Sequence, residues 1–323
     1  MGGRRSARGA GPRGRTTPGR TGVRPQPGSY PLTGATARVE RDHNVADGWL
    51  LYVDEAPSSY LDLDDATHLE FEYMGWIADV LDTVAAPPPA PLQVAHVGGA
   101  ACTLPGYVAA TRPESQQVVF EIDPALVELA RAQFGVRSRA GLRIRVREGR
   151  EGVARLAPGG TDVIVRDAFG DGVVPVHLCT VEFLDEVVRA LTPAGCYVAN
   201  LVDAVPLAQA RAEVATALAR FTHVALLAEP AVFRGRRHGN LVLVASQAPL
   251  PHAELARRLR IGVAPARLVA GAELAQLATG VPVLTDRDPG RPAPRRRDGV
   301  LLGTRPGTRL RATHQGPSPS VGR

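Results

Sequence analysis

Two glycines and one acid, set beside apolar runs, have the residue types and spacing of a ligand site. Gly98 and Gly99 follow the apolar run at 92–97, and Glu121 lies near the end of the run at 118–122, roughly twenty positions on. The pattern predicts a strand, a tight turn, a helix and a second strand. Glycines let a backbone approach a ligand, a helix N-terminus is positively polarised, and an acid at a strand tip suits the two hydroxyls of a ribose. The stretch therefore predicts a nucleoside site.

The glycine spacing favours one class of nucleoside. The strict G-x-G-x-x-G fingerprint of dinucleotide sites is absent, because no glycine lies between Gly99 and Gly106. Nucleosides of the S-adenosylmethionine type carry no pyrophosphate and tolerate looser glycine spacing, so they are favoured over NAD. The alternative is a glycine-rich turn in an α/β domain with a solvated Glu121.

Further polar residues lie where later strands are predicted to end. Glu148 and Asp167 each follow a predicted strand, and Asn200 lies near the end of another. Ligands of open α/β sheets bind beyond the carboxyl ends of the strands. We therefore expect these side chains to share one rim with Gly98 and Glu121.

Strand-like runs alternate with helical periods through the central part of the chain. This alternation predicts a mostly parallel sheet with helices on both faces, preceded by a small β element. The last two strands are joined by a short loop and are expected to form an antiparallel edge pair. The predicted strands are 37–41, 49–54, 59–63, 92–97, 118–122, 142–146, 161–165, 197–201, 224–228 and 241–246, and the predicted helices include 67–84, 124–134, 181–191 and 206–221.

Composition separates a folded body from two basic ends. Residues 1–37 contain seven arginines and no acid, and residues 286–323 contain nine arginines and three acids, so a chain of net charge +6 has an acidic body. Segments this poor in apolar residues are predicted to be disordered tails that bind nucleic acid only weakly, if at all. The body is predicted to comprise a small β element at 38–66 and a nucleoside-binding domain at 67–285.

Composition also excludes several kinds of site. All basic side chains are arginines, so neither a P-loop lysine nor a Schiff-base lysine can be present. The three cysteines form no C-x-x-C pair, which argues against a disulfide framework and a zinc site. No apolar run approaches about 18 residues and the N-terminus lacks a signal-peptide core, so we expect a cytoplasmic protein with no membrane partner.

Several motifs resemble the spermidine synthase (polyamine aminopropyltransferase) family, in particular its divergent actinobacterial spermidine synthase-like members. They are V-G-G-x-x-C from Val97, V-F-E-I-D from Val119, R-D-A-F from Arg166 and G-N-L-V-L-V from Gly239. The segment D-L-D-D-A-T-H-L-E-F-E-Y from Asp62 lies where the family has D-E-x-x-Y-x-E. The resemblance implies a Rossmann-like sheet of the S-adenosylmethionine-methyltransferase type with a small N-terminal β element.

The resemblance also implies residue roles. Glu121 matches the family acid that holds the ribose, and Glu148 stands where an Asp lies near the adenine amine. Asp167 matches the first Asp of D-S-S-D-P, which takes the proton from the attacking amine, and Asp171, one residue late for the second Asp, is expected to assist. His68 takes the place of a family tyrosine and is expected to contact substrate.

The departures from the family fall on the half of the site that would hold an amine. Ala101 stands where the family glycine-rich turn has an Asp, and Ser58 or Ser59 stands where the family has a Gln; Ser58 is expected to contact substrate.

One interpretation is a transferase that moves an aminopropyl group from decarboxylated S-adenosylmethionine to a small amine in polyamine biosynthesis. A second is an S-adenosylmethionine-dependent methyltransferase, in which Ala101 leaves room for the methionine carboxylate. A third is a non-enzymatic nucleoside-binding protein. No metal is expected, and a homodimer is compatible with all three.

Overall fold

The computed structural model describes residues 24–99, 101–170 and 172–289, which form a four-stranded antiparallel sheet and an eight-stranded mixed sheet flanked by helices. The strands are β1 (Gly28–Pro31), β2 (Thr36–Arg41), β3 (Gly48–Val53), β4 (Ala56–Asp62), β5 (Gln93–Val97), β6 (Gln116–Glu121), β7 (Leu142–Val146), β8 (Thr161–Arg166), β9 (Leu191–Asp203), β10 (His223–Ala228), β11 (Gly239–Ser246) and β12 (Arg267–Ala270). The helices are α1 (Glu72–Thr83), α2 (Thr103–Thr111), α3 (Pro124–Phe134), α4 (Gly149–Ala154), α5 (Val181–Ala190), α6 (Ala208–Leu218), α7 (Pro230–Phe233), α8 (His252–Ile261) and α9 (Gly271–Ala278).

The large sheet has the order β12-β10-β11-β9-β8-β5-β6-β7. Strands β7, β6, β5, β8 and β9 are parallel, whereas β11, β10 and β12 each pair antiparallel with a neighbour. The chain leaves β5 towards β6 and β7 and then returns to β8 on its other side. The strand order therefore reverses between β5 and β8, and such a switch point opens a ligand crevice at the carboxyl ends of the strands. The predicted fold is confirmed.

Alternate residues of the central strands pack into opposite layers. In β8, Val163 and Val165 join one apolar cluster and Ile164 joins the other. A parallel strand is covered by helices on both faces, so both sets of side chains must be apolar. Each fully buried aliphatic side chain contributes about 1.5–3 kcal/mol relative to an exposed one. This packing fixes the strand ends that carry the polar residues.

The small sheet packs beside the glycine turn. Ala37, Val39 and Leu51 from this sheet share an apolar cluster with Leu126 and Leu129 of α3. Strand β4 is also hydrogen-bonded to the start of α2, because the Thr103 hydroxyl donates to the Tyr60 carbonyl at 2.8 Å. The β3–β4 hairpin is thereby held over the switch point.

The first long helix begins later than predicted. The helix expected over 67–84 starts at Glu72, and His68 lies in the preceding turn. The Asp62 carboxylate accepts backbone N–H groups at 64 and 65, and the Asp65 carboxylate accepts the Thr67 N–H. These side chains offer the backbone turn-type partners in place of helical ones.

The folded part extends beyond both predicted tail boundaries. Strand β1 lies inside the predicted tail at 1–37 and pairs with β2 through backbone groups, so it forms despite the tail-like composition around it. At the other end, the Asp286 carboxylate accepts hydrogen bonds from Arg150 and Thr180. The tail predictions for residues 1–23 and 290–323 lie outside the described residues.

The C-terminal part of the large sheet was only partly predicted. The antiparallel β10–β11 pair is confirmed, but β12 covers β10, so the pair is not at the edge. Helix α8, strand β12 and helix α9 were not predicted. Within the described residues, no helix combines the length and apolarity needed to cross a membrane.

Candidate functional site

A cavity of about 500 Å³ opens at the carboxyl ends of β5, β6 and β8, at the switch point of the sheet. It brings together residues that the sequence predicted from separate motifs. These lining residues are Ser58, Gly98, Gly99, Glu121, Glu148 and Asp167. His68 is not among the described lining residues, and Asp171 lies outside the described residues.

The glycine turn forms the floor of the cavity. Gly98 has φ +80°, which L side chains rarely adopt, and its N–H donates to the Phe120 carbonyl at 2.9 Å. A Cβ on Gly99 would lie 2.6 Å from Val119 Cγ1, so this position is also sterically restricted to glycine. The first turn of α2 lines the cavity with Thr103 and Leu104. The turn can therefore present backbone to a ligand, as the sequence predicted.

Glu121 ends β6 and is only 8% exposed. Its Oε1 accepts the Asp123 N–H at 3.1 Å, which orients the carboxylate beside the cavity. The neighbouring Ile122 is 67% exposed and also lines the cavity. A carboxylate next to an exposed aliphatic face can hold a ribose and support the face of a nucleobase.

Glu148 has a structural role in addition to the predicted ligand contact. Its carboxylate caps α4 by accepting the N–H groups of Arg150 and Glu151 at 3.0 and 2.9 Å. Nε2 of His177, a cavity-lining residue missed by the sequence analysis, lies 2.9 Å from Glu148 Oε1. Partial burial alone would raise the pKa of Glu148, but the two backbone hydrogen bonds and His177 outweigh it and the pKa is lowered.

Replacing Glu148 by Ala is expected to destabilise the fold by about 0.5–2 kcal/mol at neutral pH, since α4 loses its N-cap. Because the folded-state pKa of Glu148 is lowered, this contribution is present above its unfolded pKa and is lost as pH falls through the folded pKa. Thermal unfolding from pH 7 to pH 3 measures the difference, with Glu151→Ala on the exposed face of α4 as the control. Equal midpoints for parent and Glu148→Ala at pH 7 would contradict the capping role.

Asp167 is the centre of a hydrogen-bonded chain of side chains. Asn200 Nδ2 donates to its Oδ1 at 2.8 Å and the Tyr73 hydroxyl donates to its Oδ2 at 3.0 Å. Asn240 Nδ2 in turn donates to Asn200 Oδ1 at 3.0 Å. The pKa of Asp167 is raised, because the effect of burial outweighs the opposing effects of the two hydrogen bonds and of the charge of Arg166. A carboxylate held in this way can accept a proton from a group bound in the cavity.

His68, expected to contact substrate in place of a family tyrosine, is not among the described residues that line the cavity, and a different residue, Tyr73, reaches Asp167. His68 lies 3.0 Å from Glu70 and packs against the ring of Tyr60. Tyr73, five residues further along in the first turn of α1, reaches Asp167 through its hydroxyl. Tyr73 was not singled out from the sequence; the signal that could have identified it is that a buried tyrosine hydroxyl usually needs a polar partner.

Ser59 and Ala101 connect the hairpin to the glycine turn. The Ala101 N–H donates to Ser59 Oγ at 3.2 Å, and the Ala101 side chain is fully buried in the cluster that contains Leu129. Ser58 donates to the Ala56 carbonyl and lines the cavity. Ser58 is thus placed to meet a ligand, whereas Ser59 also holds the turn in place.

The chain is similar to several known proteins. No family model matches the chain. A probable spermidine synthase from Corynebacterium glutamicum is 34% identical, with a TM-score of 0.75 over 81% of this chain and 97% of that one. A curated polyamine aminopropyltransferase from Vibrio vulnificus is 32% identical over 114 residues, 35% of this chain and 38% of that protein. The human eEF1A lysine and N-terminal methyltransferase is 32% identical over 123 residues, 35% of this chain and 18% of that protein.

The chain spans less than two fifths of the length of either curated relative. The Corynebacterium structure, in contrast, is matched over 97% of its length. The order of the motifs in the sequence, the strand order of the large sheet and this match all indicate the same family. The chain belongs to the spermidine synthase family.

Proposed function

We propose that the protein transfers an aminopropyl group from decarboxylated S-adenosylmethionine to a small amine. The observation that carries this proposal is Asp167, a hydrogen-bonded carboxylate at the switch point, next to the glycine turn and Glu121 that would hold the nucleoside. Asp171, which lies outside the described residues, remains a proposed helper.

The reaction needs a nucleoside site and a base. The amine nitrogen attacks the aminopropyl carbon attached to the sulfonium, the carbon–sulfur bond breaks, and its electron pair leaves with methylthioadenosine. An ammonium is not a nucleophile, so a nearby group must take the proton. Asp167 is that group in this proposal, and Tyr73 and Asn200 hold its carboxylate towards the cavity.

The charge of the cavity supports a cationic donor and acceptor. The chain carries 38 basic residues, all arginines, yet none of the described lining residues is an arginine. Besides Glu121, Glu148 and Asp167, the acids Asp54 and Glu55 line it. Both sulfonium and ammonium groups are attracted to such a site, whereas a substrate with a carboxylate meets no arginine among these residues.

Methyl transfer from S-adenosylmethionine is the second candidate, and the similarity to the human methyltransferase favours it. The expected room for a methionine carboxylate at Ala101 argues less strongly for it, because that side chain is buried in an apolar cluster and its N–H donates to Ser59. A carboxylate would need other donors around the glycine turn.

Product analysis separates the candidates. The purified protein is incubated with decarboxylated or ordinary S-adenosylmethionine and a panel of mono-, di- and polyamines, and methylthioadenosine and S-adenosylhomocysteine are quantified. We expect methylthioadenosine, with the decarboxylated donor and an amine present. S-adenosylhomocysteine as the sole product would assign methyl transfer, and calorimetric binding of either nucleoside without any product would favour the non-enzymatic interpretation.

Glu121→Gln is expected to weaken nucleoside binding about tenfold or more. A carboxylate accepts both ribose hydroxyls, and hydrogen bonds to charged groups contribute about 1.5–3 kcal/mol each. Since Gln can still accept the Asp123 N–H, the thermal midpoint without ligand should stay nearly unchanged. Titration calorimetry measures the affinity. The matched control is Glu128→Gln, on the exposed face of α3. Equal affinity in parent and Glu121→Gln would place the ribose elsewhere.

A further inference from the structure

Arg166 is a buried cation for which the proposed chemistry has no direct use. It ends β8, immediately before Asp167, and its side chain is fully buried. A buried ion pair is weak evidence for stability, because removing two charges from water costs about as much as their attraction returns. Its contacts are Glu213 Oε2 at 2.8 Å, the Asn200 carbonyl at 3.2 Å, Cys179 Sγ at 3.0 Å and the Leu178 carbonyl at 3.5 Å.

Two of these contacts belong to residues that build the site. Asn200, whose carbonyl accepts from Arg166, donates to Asp167 through its side chain. Leu178, whose carbonyl also accepts from Arg166, lines the cavity. One guanidinium therefore ties the end of β9 and the segment returning to α5 to the strand that carries Asp167.

Glu213 completes the arrangement from α6. It is 5% exposed and receives a further hydrogen bond from Gln209 at 3.0 Å. Burial alone would lower the pKa of Arg166, but the Glu213 carboxylate and, less strongly, Tyr197 and Cys179 raise it, so the guanidinium stays charged. Asp167 itself is hydrogen-bonded by Asn200 from β9 and Tyr73 from α1, and the charge of Arg166, the last residue of β8, also acts on it.

We propose that the buried Arg166–Glu213 pair positions the site by holding Asn200 and the segment at Leu178 in place relative to Asp167. Within the pair, the Glu213 carboxylate balances the positive charge of Arg166 next to Asp167. The inference rests on the proposed function for its catalytic consequence. Arg166 and Glu213 are positioning residues and not catalytic residues, because neither is among the described residues that line the cavity.

Two variants test the proposal. Arg166→Met/Glu213→Leu removes both charges and replaces them with apolar side chains, which proteins often tolerate in place of a buried pair. Glu213→Gln keeps a hydrogen-bond acceptor for Arg166 but leaves its charge unbalanced. Circular dichroism and thermal unfolding establish that each variant folds.

The main measurement is the titration of Asp167 followed by NMR through the side-chain amide of Asn200, which donates to it. The amide signal is assigned by its loss in Asn200→Ala. We expect the titration midpoint to rise in Arg166→Met/Glu213→Leu, since a cation next to the carboxylate is lost, and to fall in Glu213→Gln, since the cation is no longer balanced. A loss of packing alone would not shift the midpoint in opposite directions.

Kinetics supply the second readout. We expect the turnover of Arg166→Met/Glu213→Leu to fall by up to about 100-fold, the cost of a small misplacement of a reacting group, with the KM for the nucleoside nearly unchanged. The amide titration needs no turnover, so it remains decisive if the parent transfers no aminopropyl group. If the midpoint shifts in the variants but the parent shows no turnover, the proposed function is refuted and the positioning proposal stands.

The proposal is overturned if the midpoint is the same in parent and both variants, or if the folded double variant keeps parental turnover. Failure of both variants to fold would also overturn it, because the pair would then be required for folding and not for positioning.

Discussion

Asp167→Asn is expected to lower turnover by about 10²–10⁴-fold while changing the nucleoside affinity by less than about twofold. The amide cannot take the proton of the attacking amine, yet it can keep partners in Tyr73 and Asn200. The ribose and base contacts proposed for Glu121 and Ile122 do not involve it. Steady-state kinetics with decarboxylated S-adenosylmethionine and the best amine measure the loss.

The pH dependence gives this prediction a second readout. Burial raises the pKa of Asp167, so the acid limb of the parent's kcat/KM profile, which reports the free enzyme, should be shifted upwards from the ordinary carboxyl pKa. A raised folded-state pKa also means that ionisation costs stability as pH rises through it. We therefore expect Asp167→Asn to unfold at the same or a higher temperature than the parent at pH 8, and the difference to disappear below about pH 4.

The control for this variant is Asp185→Asn, at an exposed ion pair with Arg220. It should leave turnover and its pH profile unchanged. Parental turnover in Asp167→Asn would remove Asp167 from the mechanism. A loss of nucleoside affinity as large as the loss of turnover would show that it binds the donor instead.

The sequence predicted the sheet well because its strands are buried on both faces. The centre of β8, Val163 to Val165, is apolar at consecutive positions, and a polar residue beyond such a run, such as Asp167, marks where the strand leaves the core. The carboxyl ends of parallel strands share one edge, so Glu121, Glu148 and Asp167 could be placed together without knowing the strand order. Their presence around one cavity follows from that rule.

The contacts that orient these residues could not be predicted in the same way. Tyr73 and Asp167 are 94 positions apart, and Asn240 reaches Asn200 over 40 positions, so no local periodicity records either contact. The start of α1 was misplaced because turns made by aspartate side chains compete with a helical pattern. Strand β1 was missed because it is held in place by backbone hydrogen bonds to β2 and not by an apolar pattern in its sequence.

Arg166 illustrates a related limit. In the sequence it reads as the polar end of an apolar strand, next to a motif, and nothing nearby indicates that it is buried. Its partner Glu213 lies on the inward face of α6, where an acid would ordinarily be unfavourable. Only the folded chain shows that each compensates the other.

Gly98→Ala is expected to lower turnover by about 100-fold and to destabilise the fold by about 1–3 kcal/mol. The added Cβ would lie 2.4 Å from the Asp167 carbonyl oxygen and 2.9 Å from the Ala168 Cα. Both atoms are backbone, so neither can rotate away as a flexible side chain would. The φ of +80° at Gly98 adds strain to any L side chain. Relief requires the end of β5 to move away from the segment that carries Asp167.

Gly106→Ala separates this effect from the general consequence of adding a methyl group. Gly106 lies in α2, a Cβ there would meet no atom within 4 Å, and Ala is favoured over Gly in a helix by roughly 0.5–1 kcal/mol. The control should therefore unfold at the same or a higher temperature and keep parental turnover. Because Gly98 also forms the floor of the proposed nucleoside site, Gly98→Ala should weaken binding as well as turnover, unlike Asp167→Asn. Gly98→Ala with parental kinetics would mean that β5 and the Asp167 segment can separate freely, and that the close approach at the switch point does not set the geometry of the site.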